Sequence, residues 1–148
     1  MPISFPYNNK VSESNTAAFY PTGVDYTITT ANTAEEFAIA KELFKEYQAF
    51  LGEDLCFQSF DTELQQLDTM YGPPSGVLLL AKHAGEYIGC VALRDKGNGA
   101  CEMKRLYVKE THKGKGIGKK LAEIIIEKAK ELGYQKMILD TLDRLALS

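Results

Sequence analysis

The sequence contains no apolar run long enough to cross a membrane. Its longest aliphatic stretches, Val77–Ala81 and Ile124–Ile126, hold five and three residues, whereas a membrane-spanning helix needs about 20. Residues 1–9 contain no basic segment followed by an apolar one, so the pattern of a secretory signal is missing as well. We therefore predict a cytoplasmic protein that has no membrane partner.

Cysteine and histidine are scarce. The chain has three cysteines (Cys56, Cys90 and Cys101) and two histidines, and their spacing matches no metal-ligand pattern. We expect reduced, packed thiols and no bound metal.

Positive charge is also in short supply, and it is unevenly distributed. The net charge is −3; residues 102–148 carry eleven Lys and Arg against seven Asp and Glu, whereas residues 1–101 carry six against thirteen. A local excess of this size suits a small anionic ligand. It is far from the domain-wide basic face of a nucleic-acid-binding protein, so we predict no nucleic-acid partner.

The length of 148 residues predicts one domain with a single core. Residues 1–23 are rich in Ser, Asn, Thr and Pro and have no sustained period, which predicts a flexible N-terminal arm, or a segment laid over the surface, ahead of a domain at residues 24–148. Thr33 and Glu36 fit a capping box, and the helix that follows should end at Gly52. The other predicted elements are strands at 24–30, 77–82, 87–94, 100–109 and 135–140, a weaker helix at 62–70, and a helix from 117 to 133.

This order of elements predicts an α/β fold with a mixed sheet. Three consecutive strands form an antiparallel meander, and a helical crossover then leads to a parallel strand.

A glycine-rich loop, Lys113-Gly114-Lys115-Gly116-Ile117-Gly118, joins the third strand of the meander to the next helix. The first amides of a helix have no intrahelical partner and carry the positive end of the helix dipole, while glycines let a ligand approach the main chain. The loop therefore predicts a phosphate site, to which Lys113, Lys115 and Lys119 add charge. Its spacing fits neither a P-loop, which needs glycine at position 113, nor a dinucleotide fingerprint, which needs glycine at position 119. The alternative is a glycine-rich turn without a ligand.

The run from Met103 to Val108, four further residues, and the run from Lys113 to Leu121 together resemble the signature of the GNAT (Gcn5-related) N-acetyltransferase superfamily. That signature is Arg/Gln-x-x-Gly-x-Gly/Ala after a hydrophobic strand, and residues 101–108 with 139–142 look like an uncharacterised bacterial branch. The resemblance covers about residues 24–143 and implies a GNAT-like mixed sheet flanked by helices. Lys113 departs from the signature, because lysine keeps the charge of arginine but lacks its planar fork.

The resemblance also implies a co-substrate, acetyl-coenzyme A, and no metal. The pyrophosphate would lie on the loop residues Lys113, Gly114, Lys115, Gly116, Ile117 and Gly118, with Lys119 beside them. The pantetheine arm would pair with the main chain of Leu106 and Val108, with Tyr107 packed or flanking it. This arm would lie where strands 100–109 and 135–140 splay apart.

Glu102 is the candidate catalytic residue, because several members of the superfamily carry on this strand a glutamate that removes the proton of the acceptor amine. The alternatives are an exposed glutamate without a role, or one paired with Lys104 or Arg105. By the same resemblance, an amide near Leu106 would bind the acyl oxygen.

The resemblance implies an N-acetyltransferase that moves an acetyl group from acetyl-coenzyme A to a primary amine by direct attack. The acceptor would be a small molecule or a peptide. Members of the superfamily continue with a further helix and two strands where this sequence ends at Ser148, so the fold is expected to be incomplete at its C-terminus. The alternative is therefore a weak or inactive protein that binds acyl-coenzyme A. The exposed edge of strand 135–140 would favour a homodimer.

Overall fold

The computed structural model describes residues 2–4, 20–21, 26–52 and 57–139. The strands in these ranges are β1 (Pro2–Ser4), β2 (Tyr20–Pro21), β3 (Tyr26–Thr30), β4 (Val77–His83), β5 (Glu86–Gly97), β6 (Ala100–Val108) and β7 (Lys136–Leu139). The helices are α1 (Ala34–Leu51), α2 (Phe57–Gln65), α3 (Leu67–Met70) and α4 (Ile117–Glu131), with a 3-10 turn at Glu110–His112.

The strands form one mixed sheet in the order β1-β7-β6-β5-β4-β3-β2. β6 and β7 are parallel and are joined through α4, while the other neighbours pair antiparallel. The predicted α/β fold, with an antiparallel meander and a parallel crossover strand, is confirmed.

Local sequence signals explain how α1 begins and ends. The Thr33 hydroxyl accepts a hydrogen bond from the Glu36 amide at 3.1 Å, and the Glu36 carboxylate accepts one from the Thr33 amide at 3.1 Å. This reciprocal capping box satisfies amides that the helix itself leaves free. The helix stops at Gly52, whose φ of 65° suits a residue without a Cβ. The predicted bounds of α1 are therefore confirmed.

The second helical region differs from its prediction. A single helix was expected at residues 62–70, whereas α2 begins at Phe57 and α3 follows it after a break. The break lies at Gln66, whose φ of −127° and ψ of 28° are not helical. Of the predicted first strand, Tyr26–Thr30 is confirmed and residues 24–25 lie outside the described residues.

Alternation along the central strands gives the sheet two buried faces. Leu79 packs toward α4, in a cluster with Leu121 and Ile125. Its neighbour Leu80 packs toward α1, in a cluster with Phe44 and Tyr47. Since side chains alternate between the faces of a strand, the apolar run of β4 supplies both layers. The single core expected from the length is thus divided by the sheet into two clusters.

Both edges of the sheet are paired by short pieces of the predicted N-terminal arm. β1 pairs antiparallel with β7, Pro2 opposite Ile138 and Ser4 opposite Lys136, and β2 pairs with β3. The expectation of an open edge on the last strand was therefore wrong, because Pro2–Ser4 occupies that edge. A homodimer remains a prediction, but this edge no longer argues for it.

Among the described residues, no helix combines the length and the apolar character that a membrane crossing requires.

Candidate active site

A β-bulge interrupts β6 at Arg105. Ala92 of β5 lies opposite Lys104, yet Cys90 lies opposite Tyr107, so three steps along β6 match two along β5. Arg105 adopts a φ of 59°, and this left-handed conformation costs a residue other than glycine about 1–2 kcal/mol. The bulge changes the course of the strand between Lys104 and Tyr107.

The parallel pairing of β6 with β7 precedes the bulge. The two strands pair from Ala100 opposite Lys136 to Met103 opposite Leu139, which is the last described residue of β7. On the other side of β6, pairing with β5 continues to Val108, which lies opposite Gly89. That the main chain of Leu106 and Val108 pairs with a pantetheine arm stays a prediction.

The side chains of Leu106, Tyr107 and Val108 alternate between the two faces of β6. Leu106 and Val108 belong to the cluster under α4. Tyr107 packs toward α1, with its ring centroid 5.8 Å from that of Tyr47, and its hydroxyl donates to Glu46 at 3.2 Å. Burial, followed by the charge of Glu46, raises the pKa of Tyr107 to about 12. Tyr107 thus packs in the core through its ring.

The glycine-rich loop begins α4, as predicted. Gly116 is the N-cap residue, with a φ of 80° and no side-chain cap, and Gly114 also has a φ of 80°. A Cβ placed on either glycine would meet no atom within 4 Å. The loop therefore has left-handed turns that glycine adopts without strain, and open space above them. The first amides of α4, including those of Ile117 and Gly118, have no helical acceptor, which fits a cradle for phosphate oxygens.

The lysines of the loop are exposed, and Lys113 has local partners. Its Nζ lies 3.2 Å from a carboxylate oxygen of Glu110 and 3.7 Å from the ring centroid of Phe50. The Phe50 side chain, at the end of α1, is 51% exposed. Exposed ion pairs of this kind contribute at most about 1 kcal/mol, so an anionic ligand can compete for the ammonium. Phe50 was not identified from the sequence, because only the fold brings α1 against the loop.

Glu102 lies on the α1 side of β6, but its partner differs from both predicted ones. Arg94, directly opposite on β5, donates from Nε to Glu102 Oε1 at 3.0 Å. The carboxylate side chain is 13% exposed. The alternatives of an exposed glutamate, or of a pair with Lys104 or Arg105, are therefore wrong. Counting back from the closing pair Gly97–Ala100 would place Asp95 opposite Glu102, and only the register shift between Asp95 and Gly97 brings Arg94 there.

Arg105 instead pairs with Glu63, a residue that the sequence did not single out. Arg105 Nε donates to Glu63 Oε2 at 2.8 Å and Nη2 donates to Oε1 at 2.7 Å. Tyr71 donates from its hydroxyl to Glu63 Oε2 at 3.0 Å. Burial alone would raise the pKa of Glu63, but the hydrogen bonds and charge of Arg105 outweigh it and hold that pKa below its ordinary value. Burial, and then the charge of Glu63, raises the pKa of Tyr71.

The cysteine beside Glu102 behaves as the sequence predicted. Cys101 is fully buried in the cluster under α4, and burial, followed by the charge of Asp95, raises the pKa of its thiol to about 12. Cys90 is buried as well, while Cys56 lies outside the described residues. In the part of the chain that the structure describes, no three His, Cys, Asp or Glu side chains come together as metal ligands.

β6 therefore carries a bulge, and the loop that follows it leads to a helix whose N-cap is a glycine. The sequence matches the acetyltransferase (GNAT) family over residues 37–146. Because the match covers more than half of the chain, the chain belongs to this family, whose members use acetyl-coenzyme A as co-substrate.

Several characterised and uncharacterised relatives share this region. An uncharacterized N-acetyltransferase of Schizosaccharomyces pombe is 46% identical over 107 residues, 71% of this chain and 66% of the relative. The IAA acetyltransferase of Azospirillum brasilense is 31% identical over 101 residues, 68% of this chain and 64% of the relative. The crystal structure of a GNAT-family acetyltransferase from Staphylococcus aureus Mu50 superimposes with a TM-score of 0.68 at 20% identity, over 78% of this chain and 73% of the other.

The aligned region spans about two thirds of the length of these curated relatives. They come from a fungus and a bacterium, so the likeness extends beyond the predicted bacterial branch.

Proposed function

We propose that the chain transfers an acetyl group from acetyl-coenzyme A to a primary amine on a small molecule or a peptide. The observation that carries this proposal is the glycine N-terminus of α4, which follows the bulged end of β6. Acetyl-coenzyme A has a diphosphate, which the start of the helix suits, and an extended amide-containing arm, which in this proposal pairs with the main chain of residues 106–108.

The loop has the properties that diphosphate binding requires. Amides at a helix start donate to anionic oxygens without desolvating a full charge, and the helix dipole adds to the attraction. The open space over Gly114 and Gly116 lets those oxygens reach the main chain. Lys113, Lys115 and Lys119 supply the counter-charge, and all three are exposed.

When bound, acetyl-coenzyme A supplies the acetyl thioester, and the protein supplies proton transfer and charge stabilisation. In this proposal Glu102 takes a proton from the acceptor ammonium, directly or through water. The freed nitrogen forms a bond to the acyl carbon, the carbon–sulfur bond breaks, and the second proton that the nitrogen loses goes to the departing thiolate, directly or through water, to give the thiol of coenzyme A. The amide of Leu106 donates to the acyl oxygen as negative charge develops, and the loss of one such donor typically costs about 3–4 kcal/mol of transition-state stabilisation.

The Arg94–Glu102 pair bears on the choice between an enzyme and a binding protein. Arg94 Nε donates to Glu102 Oε1, so one oxygen of the carboxylate already has a partner, and the side chain is only 13% exposed. An acceptor amine must therefore reach the other oxygen or act through water. This restricted access favours the alternative function, a protein with the same fold that binds acyl-coenzyme A with little or no acetyl transfer.

Two glycines of α4 provide a matched test of the phosphate site. Gly116 begins the helix and Gly133 follows its end; their φ angles are 80° and 92°, and a Cβ on either meets nothing within 4 Å. Gly116→Val and Gly133→Val therefore introduce the same kind of strain at opposite ends of one helix. Only Gly116→Val places a side chain over the proposed phosphate cradle.

We expect Gly116→Val to weaken acetyl-coenzyme A binding in calorimetry by about tenfold to a hundredfold. This corresponds to one lost hydrogen bond to a charged group, about 1.5–3 kcal/mol. Gly133→Val should bind as the unmodified chain does, although both variants unfold at a lower temperature. Equal affinity of the two variants for acetyl-coenzyme A would contradict a phosphate site at Gly116.

Release of free thiol from acetyl-coenzyme A in the presence of a panel of amines then separates an enzyme from a binding protein.

A further inference from the structure

Arg105 combines two features that need support from the surrounding structure. Its main chain is left-handed, with a φ of 59°, although it lies within a strand and carries a Cβ. Arg105 is also only 9% exposed, so the positive charge of its guanidinium is buried. Such a conformation persists where neighbouring groups hold it.

Glu63 of α2 holds the side chain of Arg105. The carboxylate accepts two hydrogen bonds from the planar guanidinium, at 2.7 and 2.8 Å, and it is itself 4% exposed. The guanidinium carbon lies 5.3 Å from the ring centroid of Phe60. A two-point contact of this kind fixes orientation as well as distance. The tip of Arg105 is therefore fixed relative to α2, with Tyr71 bound to the same carboxylate.

The main-chain carbonyl of Arg105 is held from the neighbouring strand. The Cys90 thiol of β5 donates to this carbonyl at 3.3 Å. The peptide bond is planar and trans, so the N–H of Leu106 points opposite to the carbonyl of Arg105. The N–H of Leu106 therefore points away from Cys90. Anchoring Arg105 at its side chain and its carbonyl thus fixes the direction of the amide that follows.

We propose that Glu63 and Arg105 are positioning residues for acetyl transfer, because their ion pair holds the bulge that orients the Leu106 amide toward the acyl oxygen. This inference rests on the proposed function, which assigns that amide its role. Neither residue contacts the reacting atoms in this scheme. Glu63 acts through Arg105, and Arg105 acts through the peptide that it shares with Leu106.

Two other roles would give the pair a different meaning. In the first, the guanidinium of Arg105 binds the acceptor directly; its burial and the use of Nε and Nη2 by Glu63 argue against this. In the second, the pair only ties α2 to the sheet and affects stability. The three roles predict different results for two variants that both remove the side chain of Arg105 but differ in how easily residue 105 adopts a positive φ.

The decisive comparison is between Arg105→Ala and Arg105→Gly. Both variants lose the ion pair, but glycine adopts a positive φ without strain, whereas alanine does not. If the pair acts by holding the bulge, Arg105→Ala and Glu63→Gln should each lower kcat by about tenfold or more. Arg105→Gly should keep clearly more activity than Arg105→Ala, and the KM for acetyl-coenzyme A should change little in all three. Lys45→Ala, which removes an exposed pair with Glu42, serves as the control and should match the unmodified chain.

A second measurement reports on the bulge without relying on activity. The main-chain chemical shifts of Leu106 in NMR, which depend on local φ and ψ, should lie closer to those of the unmodified chain in Arg105→Gly than in Arg105→Ala, because only alanine pulls the bulge out of its left-handed conformation. Circular dichroism at the assay temperature confirms that each variant is folded.

The outcomes separate the roles. Equal kcat in Arg105→Ala and Arg105→Gly would overturn the proposal, as would a raised KM for the acceptor at unchanged kcat or a change in melting temperature alone. If the unmodified chain transfers no acetyl group, the proposed function fails. Chemical shifts of Leu106 that stay closer to those of the unmodified chain in Arg105→Gly than in Arg105→Ala would then still support the positioning of the bulge, and equal shifts in the two variants would overturn it.

Discussion

The buried pair of Glu63 and Arg105 gives a stability prediction that can be worked out from the structure. Glu63→Gln leaves the guanidinium of Arg105 buried without its counter-charge, and breaking one partner of a buried pair costs about 3–5 kcal/mol. Both residues are under one-tenth exposed, so water can replace little of what is lost. For a domain of this size, 1 kcal/mol corresponds to about 2–4 °C, which places the fall in melting temperature at about 6–20 °C.

Arg105→Met is the complementary change, because it keeps a side chain with a Cβ at the left-handed position and so leaves the main-chain strain unchanged. The double-mutant cycle compares four chains by urea unfolding followed by circular dichroism: the unmodified chain, Glu63→Gln, Arg105→Met and the double variant. We expect the double variant to be much more stable than the sum of the two single losses implies, since neither charge is then left alone. A coupling energy below about 0.5 kcal/mol would refute the description of this pair as a tightly coupled buried contact.

The pH dependence of the same variants tests the direction of the Glu63 shift. Arg105 holds the pKa of Glu63 below its ordinary value, so the stability from this carboxylate is fully present above the pKa of the unfolded chain. It is lost as pH falls through the lower pKa of the folded chain. The gap in stability between the unmodified chain and Glu63→Gln should therefore be largest near pH 7 and shrink in acid. A gap that grows in acid would contradict the sign of the shift.

Two further predictions concern Glu102 and the start of α1. Glu102→Gln should lower turnover mainly at low pH, where the acceptor amine is protonated, and should leave acetyl-coenzyme A affinity in calorimetry unchanged; a pH–rate profile like that of the unmodified chain would remove Glu102 from the mechanism. Thr33→Ala removes the side chain that accepts from the Glu36 amide, so urea unfolding should show a loss of about 1 kcal/mol with no effect on ligand binding. Thr33→Ser, which keeps the hydroxyl, should be close to the unmodified chain, and an equal loss in both would argue against the cap.

Much of the fold could be predicted because its signals are local. The capping box joins residues three apart, and the end of α1 depends on one glycine. Strand spacing placed the antiparallel meander, and the glycine spacing placed the start of α4. Each of these features depends on hydrogen bonds and main-chain conformations within a few residues, so the sequence carries it directly.

The bulge at Arg105 could not be predicted from the order of residues. It exists because three steps of β6 match two of β5, and this register depends on two strands folding together. Arginine gives no hint of a left-handed conformation, which sequence reasoning assigns to glycine or asparagine. The pairing of β1 with β7 was missed for the same kind of reason, since it joins residues from opposite ends of the chain.

By itself, the sequence of this GNAT-family chain determined where α1 and α4 begin and which loop presents free amides, because short-range hydrogen bonding and the absence of a Cβ decide those features. Only the tertiary structure decided the charge partners. Glu63 meets Arg105 across 42 positions of the chain, and Glu102 meets Arg94 across a hairpin. The packing of α2 against the sheet brings Glu63 to Arg105, and the register of β5 and β6 brings Glu102 to Arg94. A buried charge needs a partner nearby in space, and separation along the sequence does not say which residue that is.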